Sequence, residues 1–376
     1  MPIAFSYRTV VAVAVTAIAA GLQALAPPAG AARTASQPTA VPILQAAASA
    51  AAQAAAVRYW TPGRISAALR AADGGPGASG AADSGAADSG AAGRRAAAAK
   101  KPARPLRRLV RKAPPKPKPA PWLAGDTAGS GLRWTHGGAV ADAAGKIFFT
   151  LDAEDYVCSG TLVGGERTDV VLTAAHCVTN GPGPADPGPG GPGPAGNIQW
   201  ATNWMFVPGF QDGRQPYGEY TARRFFVIKD WTGPEGGNEQ YDVAFVQVNA
   251  ATLYGAATAA QPPPGLPVEF ARTQDAAPAD RASVFGYPAE PPYTGLYLSY
   301  CAGRVAASGG SGRMACAMTA GDSGGPWLAP FSPRAGTGPV VAVSTYKVSD
   351  NLRMLYGAVL GPQARALYER AVNLAR

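Results

Sequence analysis

The sequence predicts an all-β fold of two barrel-like halves, followed by one C-terminal helix. The 376 residues include 47 Gly and 36 Pro, too many turn-forming residues for a mostly helical protein. After Gly131, short runs of β-branched and aromatic residues alternate with turn residues, as in a sandwich or barrel. After Gly361-Pro362, apolar residues recur at helical spacing, which predicts a helix packed against the strands.

Nine runs after Gly131 carry the strand pattern and divide into halves at about 140–250 and 265–360. They are 146–151, 156–163, 170–174, 197–207, 220–228, 243–248, 282–287, 296–301 and 339–345. The tract 181–196 holds 6 prolines. Because proline cannot donate a ladder hydrogen bond, this tract is predicted to be an exposed loop.

Residues 1–31 have the composition of a secretory signal peptide. Arg8 precedes an apolar run over 10–20, and small residues at 29–31 form an A-x-A cleavage pattern. The run is shorter than the roughly 20 apolar residues of a membrane span. Cleaved export, to the medium or the cell wall, is therefore predicted over an uncleaved anchor.

Residues 32–130 are dominated by Ala, Gly, Pro, Lys and Arg, a composition that predicts a disordered pro-segment or linker. The exception is 57–72, where Tyr59 and Trp60 precede Pro62 and an apolar stripe follows. One short helix is expected there. This helix is either a docking piece of a pro-segment or an apolar patch in a linker.

Charge separates this region from the 131–376 domain. Residues 1–130 carry 16 Lys and Arg against 4 Asp and Glu, whereas 131–376 carry 17 against 20. The basic residues concentrate in 94–118, which has 11 of them and no acid. A basic, nucleic-acid-binding fold is excluded. The cationic tract is instead expected to contact anionic cell-wall polymers, or to be removed when a zymogen matures by cleavage at sites such as Arg111 or Arg133.

All four cysteines lie within the 131–376 domain, and an even number in an exported chain predicts two disulfides. Three pairings are possible, and the sequential one, Cys158 with Cys177 and Cys301 with Cys316, keeps each bridge local. A zinc site is disfavoured because the chain has no C-x-x-C pattern and only 2 His. No metal is expected.

Three separated motifs carry the chemistry. In 173–177 (TAAHC), His176 ends a predicted strand beside a cysteine that can tether it. In 241–245 (YDVAF), Asp242 opens an apolar strand and can orient an imidazole. In 321–326 (GDSGGP), glycines permit a tight turn whose N–H groups can converge around Ser323.

These motifs, in the order His, Asp, Ser, resemble the trypsin/chymotrypsin-like serine proteases over about residues 140–360. The resemblance implies two six-stranded antiparallel Greek-key barrels with a C-terminal helix, and no cofactor. It implies that His176 is the general base, Asp242 its orienting partner and Ser323 the nucleophile. The N–H groups of Gly321 and Ser323 would form the oxyanion hole.

More narrowly, 157–162 (VCSGTL), 201–209 (ATNWMFVPG) and the residues around the last two cysteines resemble exported bacterial peptidases related to the glutamyl endopeptidase group. The specificity pocket is expected from Ala317, Met318, Thr319 and Ser344. Ala317 stands where relatives that cleave after Arg or Lys carry an acid. A small or apolar pocket with one hydroxyl is therefore predicted.

The resulting hypothesis is an exported serine endopeptidase acting on proteins or peptides through an acyl-enzyme. Two other hypotheses stay open. A catalytically idle homologue could bind a partner, or the same chemistry could act mainly on esters.

Overall fold

The computed structural model describes residues 43–71, 127–165, 169–181, 198–234, 237–249 and 262–374. All of these belong to one unit, Val41–Arg376. The predicted signal peptide, the cationic tract 94–118 and most of the proline-rich tract lie outside the described residues. Among the described helices, none combines the length and apolarity that a membrane crossing requires.

Strands predominate along the whole described chain, and the helices are short. The first part contains, in chain order, β1 (Ile43–Ala47), α1 (Ala50–Tyr59), α2 (Pro62–Ala71), β2 (Leu132–Arg133), α3 (Ala139–Ala143), β3 (Ala144–Leu151), β4 (Glu154–Leu162), β5 (Val170–Thr173), β6 (Thr202–Pro208), β7 (Tyr220–Ile228) and β8 (Ala244–Val248). The second part contains β9 (Arg281–Gly286), β10 (Ser299–Arg304), β11 (Ala306–Ser308), β12 (Ser311–Ala315), β13 (Pro326–Leu328), β14 (Val340–Tyr346), β15 (Met354–Val359) and α4 (Pro362–Asn373).

Six antiparallel strands close the first barrel. The order is β3-β4-β5-β8-β7-β6, and β6 pairs back to β3. Phe148, Phe206 and Phe245 are fully buried in its core. Each barrel strand therefore has two neighbours, although β6 pairs with β7 only at Tyr220 and Thr221 and leaves the rest of that β7 edge to another partner.

The second half is an eight-stranded sheet in the order β11-β12-β15-β14-β13-β9-β10-β2, of which β2 and β11 are short. Within the described residues, β10 and β12 are not hydrogen-bonded to each other. The disulfide from Cys301 in β10 to Cys316, directly after β12, joins them instead. The second disulfide, Cys158–Cys177, lies in the first barrel. The predicted all-β class is confirmed.

The C-terminal helix is also confirmed and packs on the first barrel. Its buried face consists of Ala364, Leu367 and Ala371, at helical spacing. The side-chain amide of Gln247 in β8 donates to the carbonyl of Ala371 at 2.7 Å and to that of Leu374 at 3.1 Å. A buried amide thus caps the helix end and ties it to the barrel.

Residues 43–71 differ from the sequence expectation of one helix in a disordered stretch. They form a strand and two helices, with Ser49 accepting a hydrogen bond from the N–H of Ala52 at the start of α1. The strand is missed because 43–47 has no alternating pattern of its own. Its hydrogen bonds come from β7, with which it pairs antiparallel from Ile43↔Ile228 to Ala47↔Arg224.

Candidate active site

His176 and Asp242 are brought together by the pairing of β5 with β8. His176 lies in a 3-10 turn, Ala175–Cys177, just after β5, and Asp242 lies just before β8. The register pairs Thr173 with Ala244, so the two flanking residues meet at one end of the strand pair. The imidazole Nδ1 lies 2.6 Å from Asp242 Oδ2, and the His176 main-chain N–H donates to Asp242 Oδ1 at 2.9 Å.

The electrostatics of this pair stabilise the imidazolium that forms when His176 accepts a proton. Burial alone would lower the pKa of His176, but the charge of Asp242 and the hydrogen bond to it outweigh burial and raise the pKa above its ordinary value. His176 Nε2 is buried and makes no hydrogen bond to the described residues. This nitrogen is therefore available to accept a proton from a reacting group.

Ser323 sits in a tight turn that only glycines allow. Gly321 has a φ of +91°, and a side chain there would meet the carbonyl oxygen of Tyr287. The N–H of Gly325 donates to the carbonyl of Asp322 at 2.8 Å. Over the described residues, the main-chain N–H groups of Gly321 and Ser323 find no acceptor. Two donors are thus left for an oxyanion.

Ser159 in β4 connects this turn to the first barrel. Its N–H donates to the carbonyl of Ser323 at 2.7 Å, and its hydroxyl donates to the carbonyl of Gly321 at 2.7 Å. The same hydroxyl accepts from the N–H of Tyr287 at 2.8 Å. Because the carbonyls of Gly321 and Ser323 face Ser159, their peptide planes are fixed. Ser159 is 1 % exposed, and although it lies in the motif 157–162, the sequence predicts no role for its side chain.

Close packing places the turn beside His176. A side chain at Gly324 would overlap the hydroxyl of Thr173 and the carbonyl of Ser159. The Sγ of Cys177, the residue after His176, lies 3.8 Å from the carbonyl oxygen of Ser323. The nucleophile motif and the histidine motif, separated by more than 140 residues, therefore meet at the junction of the two halves.

Asp322, next to Ser323, is buried in a cationic environment. Burial raises the pKa of its carboxyl group to about 7, while Ser344, Lys347 and Lys146 act in the lowering direction. Lys146 is itself fully buried, which lowers the pKa of its ammonium group to about 7, and its Nζ donates to the carbonyl of Tyr287 at 2.8 Å. The sequence pointed to neither lysine, because neither belongs to a motif.

A pocket of about 300 Å³ opens beside Ser323. Ala317, Thr319 and Ser344, which the sequence analysis expects in the specificity pocket, are among the residues that line it. Met318 does not, because neighbouring side chains in this non-helical segment point to opposite sides, and Met318 is buried in the core of the second sheet. The prediction that Met318 lines the pocket is therefore wrong.

The pocket is also more polar than the sequence predicts. Lys347 and Arg353 line it together with Glu290. Lys347 Nζ donates to the carbonyls of Cys316 and Leu352, each at 2.6 Å, and burial lowers the pKa of this ammonium group to about 8 against the attraction of Asp322. Only the fold brings these cations close to the three neutral residues.

One cluster of potential metal donors occurs among the described residues. It consists of three atoms within 4.8 Å of one another, one from each of Cys158, His176 and Cys177. The two sulfurs are joined to each other in a disulfide, so neither is a thiolate. This donor set does not fit a metal ion.

Known proteins similar to this chain were found both by sequence and by structure. The family model for the trypsin-like peptidase domain matches residues 158–330. The solved structure of the protease Anisep from Arthrobacter nicotinovorans is 34 % identical with a TM-score of 0.50, covering 61 % of this chain and 95 % of Anisep. The thermostable serine protease AL20 from an extremophilic microorganism is 25 % identical with a TM-score of 0.48, covering 63 % of this chain and 100 % of AL20.

One curated relative matches a shorter region. The extracellular metalloprotease of Bacillus subtilis (strain 168) is 27 % identical over 106 residues, which is 28 % of this chain and 28 % of the relative. The match therefore spans little more than a quarter of that protein.

Proposed function

We propose that this chain, which belongs to the trypsin-like serine peptidase family, is an exported endopeptidase that hydrolyses peptide bonds through Ser323, His176 and Asp242. The observation that carries the proposal is the 2.6 Å contact between His176 Nδ1 and Asp242 Oδ2. It leaves Nε2 without a partner among the described residues, and the Sγ of the next residue, Cys177, lies 3.8 Å from the carbonyl oxygen of Ser323. This is the arrangement of a general base oriented by a carboxylate.

The mechanism follows from these atoms. The Ser323 Oγ attacks the scissile carbonyl carbon while its proton moves to His176 Nε2. The negative charge that develops on the carbonyl oxygen is stabilised by the N–H groups of Gly321 and Ser323. His176 then gives its proton to the leaving amine, which departs and leaves an acyl-enzyme. A water molecule, deprotonated by His176, releases the acid and restores Ser323.

Export is proposed from the signal-peptide pattern at 1–31, with support from the two disulfides, which persist in oxidising compartments. The Bacillus relative is described as extracellular. The cationic tract 94–118 is proposed to hold the protein at anionic wall polymers. Salt should release the protein from isolated cell walls because exposed charges are screened. Retention at high salt would contradict this contact.

The test of the catalytic proposal is intact mass after a fluorophosphonate probe. One adduct per chain, absent from Ser323→Ala, together with hydrolysis of a casein or peptide substrate, is the expected result. The unmodified mass also locates the mature N-terminus. A folded, disulfide-bonded protein that takes no adduct would overturn the proposal and favour the idle homologue. A normal adduct with ester turnover but no peptide turnover would favour the esterase.

A further inference from the structure

Residues 43–71 are held on the 127–374 domain by strand pairing along the first barrel. β1 pairs with β7 over its whole length, from Ile43↔Ile228 to Ala47↔Arg224. The N–H of Ala48 adds a hydrogen bond to the carbonyl of Arg223 at 3.0 Å. The segment therefore covers part of a β7 edge that would otherwise expose unpaired main-chain groups.

An aromatic anchor reinforces this pairing. Trp60, between α1 and α2, is 2 % exposed and its ring centroid lies 5.4 Å from that of Phe148 in β3. The indole N–H donates to the carbonyl of Asn203, and the hydroxyl of Tyr59 donates to Asp155 at 2.8 Å. Buried aromatic anchors of this kind carry much of the free energy of protein association.

The helix α2 also contacts the loop that is hydrogen-bonded to the start of the Ser323 turn. Leu69 is buried against Gly295, next to Ala289. The N–H of Ala289 donates to the carbonyl of Ala320 at 2.7 Å, and Ala320 directly precedes Gly321. A contiguous set of contacts thus runs from α2 to Ala320, at the start of the Ser323 turn.

The segment leaves the substrate side of the site open. The pocket beside Ser323 is lined by residues from 290 to 355 and by none from 43–71. Within the described residues, no hydrogen bond or ion pair joins 43–71 to His176 or Asp242. A segment that inhibits by occupying the site would make such contacts.

We infer that residues 43–71 are a retained, activity-supporting part of the mature protease: after the chain is cut between 72 and 126, they stay bound as a separate peptide. The sequence between them and the domain contains the 11 basic residues of 94–118, which offer cleavage sites to proteases that cut after Lys or Arg. Both disulfides lie within 158–316, so neither holds the segment. Its retention depends on β1, Trp60 and α2.

The first experiment tests whether residues 43–71 stay bound after cleavage, and it does not depend on enzyme activity. A recognition sequence for a site-specific protease is inserted within 81–90 of the full chain carrying Ser323→Ala, and the chain is cut. Size-exclusion chromatography and native mass spectrometry at micromolar concentration should find both fragments in one complex. Separation of the fragments under these conditions would overturn the inference.

The second experiment tests whether residues 43–71 support catalysis, a claim that rests on the proposed function. It uses the active chain with the same insertion. Cutting should leave kcat and KM unchanged. Trp60→Ala in the cut protein should release the fragment and lower kcat about tenfold. The reason is that a small displacement of the Ser323 turn misplaces the reacting groups. Arg70→Ala, an exposed change on α2, is the matched control and should behave as the unmodified protein.

Addition of a synthetic 43–71 peptide to the cut Trp60→Ala protein should restore kcat, which excludes misfolding as the cause of the loss. If kcat rises when the fragment leaves, the segment is an inhibitory pro-segment and the inference is wrong. If kcat does not change, the segment does not support the site and the inference is also wrong. The fluorophosphonate adduct reports separately on whether the triad works.

Discussion

The two halves of the molecule hold their catalytic groups in different ways. In the first barrel, His176 is held by a side chain, through two contacts with one carboxylate, on strands that close by hydrogen bonds. In the second half, Ser323 is held through main-chain atoms, and the sheet that carries it is joined across its β10 and β12 strands by a disulfide. Substitutions in the first half should therefore change the protonation of His176. Substitutions in the second half should instead change the position of the main chain around Ser323.

The largest effect should come from Asp242→Asn. Loss of the carboxylate favours the wrong imidazole tautomer, and we expect kcat/KM to fall about 10⁴-fold. In the unmodified enzyme the raised pKa of His176 places the acidic limb of the pH profile at a higher pH than an ordinary histidine would, because only the neutral imidazole accepts a proton. With the charge and hydrogen bond of Asp242 removed, burial remains and the limb should move to lower pH.

A pH series of kcat/KM for the two proteins makes this measurement. Far-UV circular dichroism controls for folding. An acidic limb at the same pH in both proteins would contradict the assignment of His176 and Asp242 as a coupled pair.

The next largest effect should be on stability and should distinguish the two halves. The chain-entropy model gives about 3 kcal/mol for each disulfide, because the sequence separations of 19 and 15 residues are similar. Replacing Cys301 and Cys316 by Ser should nevertheless cost more stability than replacing Cys158 and Cys177, since hydrogen bonds still close the first barrel. Urea unfolding of both double variants measures the difference. Equal losses would show that the Cys301–Cys316 bond does not serve to close the second half.

A moderate effect on rate is expected from Ser159→Ala. The change removes the hydroxyl that fixes the carbonyl of Gly321 and leaves the Tyr287 N–H without its acceptor, so kcat should fall about tenfold to a hundredfold. KM should change little because Ser159 does not line the pocket. A positioning role also requires that fluorophosphonate labelling slow in proportion to kcat.

The matched control for Ser159 is Ser283→Ala, which removes the hydroxyl of another buried serine, in β9. It should leave kcat unchanged. If both variants lose stability by the same amount and neither slows labelling, Ser159 is only a packing residue.

The smallest effect should come from Lys347→Met in the pocket. The ammonium group is charged below its pKa of about 8 and neutral above it. For a peptide that places a carboxylate in the pocket, KM should rise about threefold between pH 7 and pH 9, a modest change because the cation is partly exposed. The variant should lose this dependence and keep the acidic limb set by His176. A KM independent of pH in the unmodified enzyme would show that Lys347 does not contact the substrate.

Local sequence patterns are enough to predict the fold class, the C-terminal helix and the three motifs that the structure brings together. These features have local signals: alternating apolar residues, glycines at a turn with positive φ, and Pro362 at a helix start. The first barrel was also predicted more closely than the second half, because short strands such as β13 and the glycine-containing β12 have little pattern of their own.

The residues from distant segments that support the site are set by long-range packing, which no local pattern shows. The strand β1 exists because β7 offers it hydrogen bonds, and Lys146 and Ser159 act across the junction of the two halves. Lys347 reaches the pocket through contacts with Cys316 and Leu352. Met318 was misplaced because a single sequence does not show to which side of a non-helical segment a side chain points. Burial and long-range contacts depend on how the whole chain packs, so residues whose roles come from their neighbours in space carry no signature in sequence.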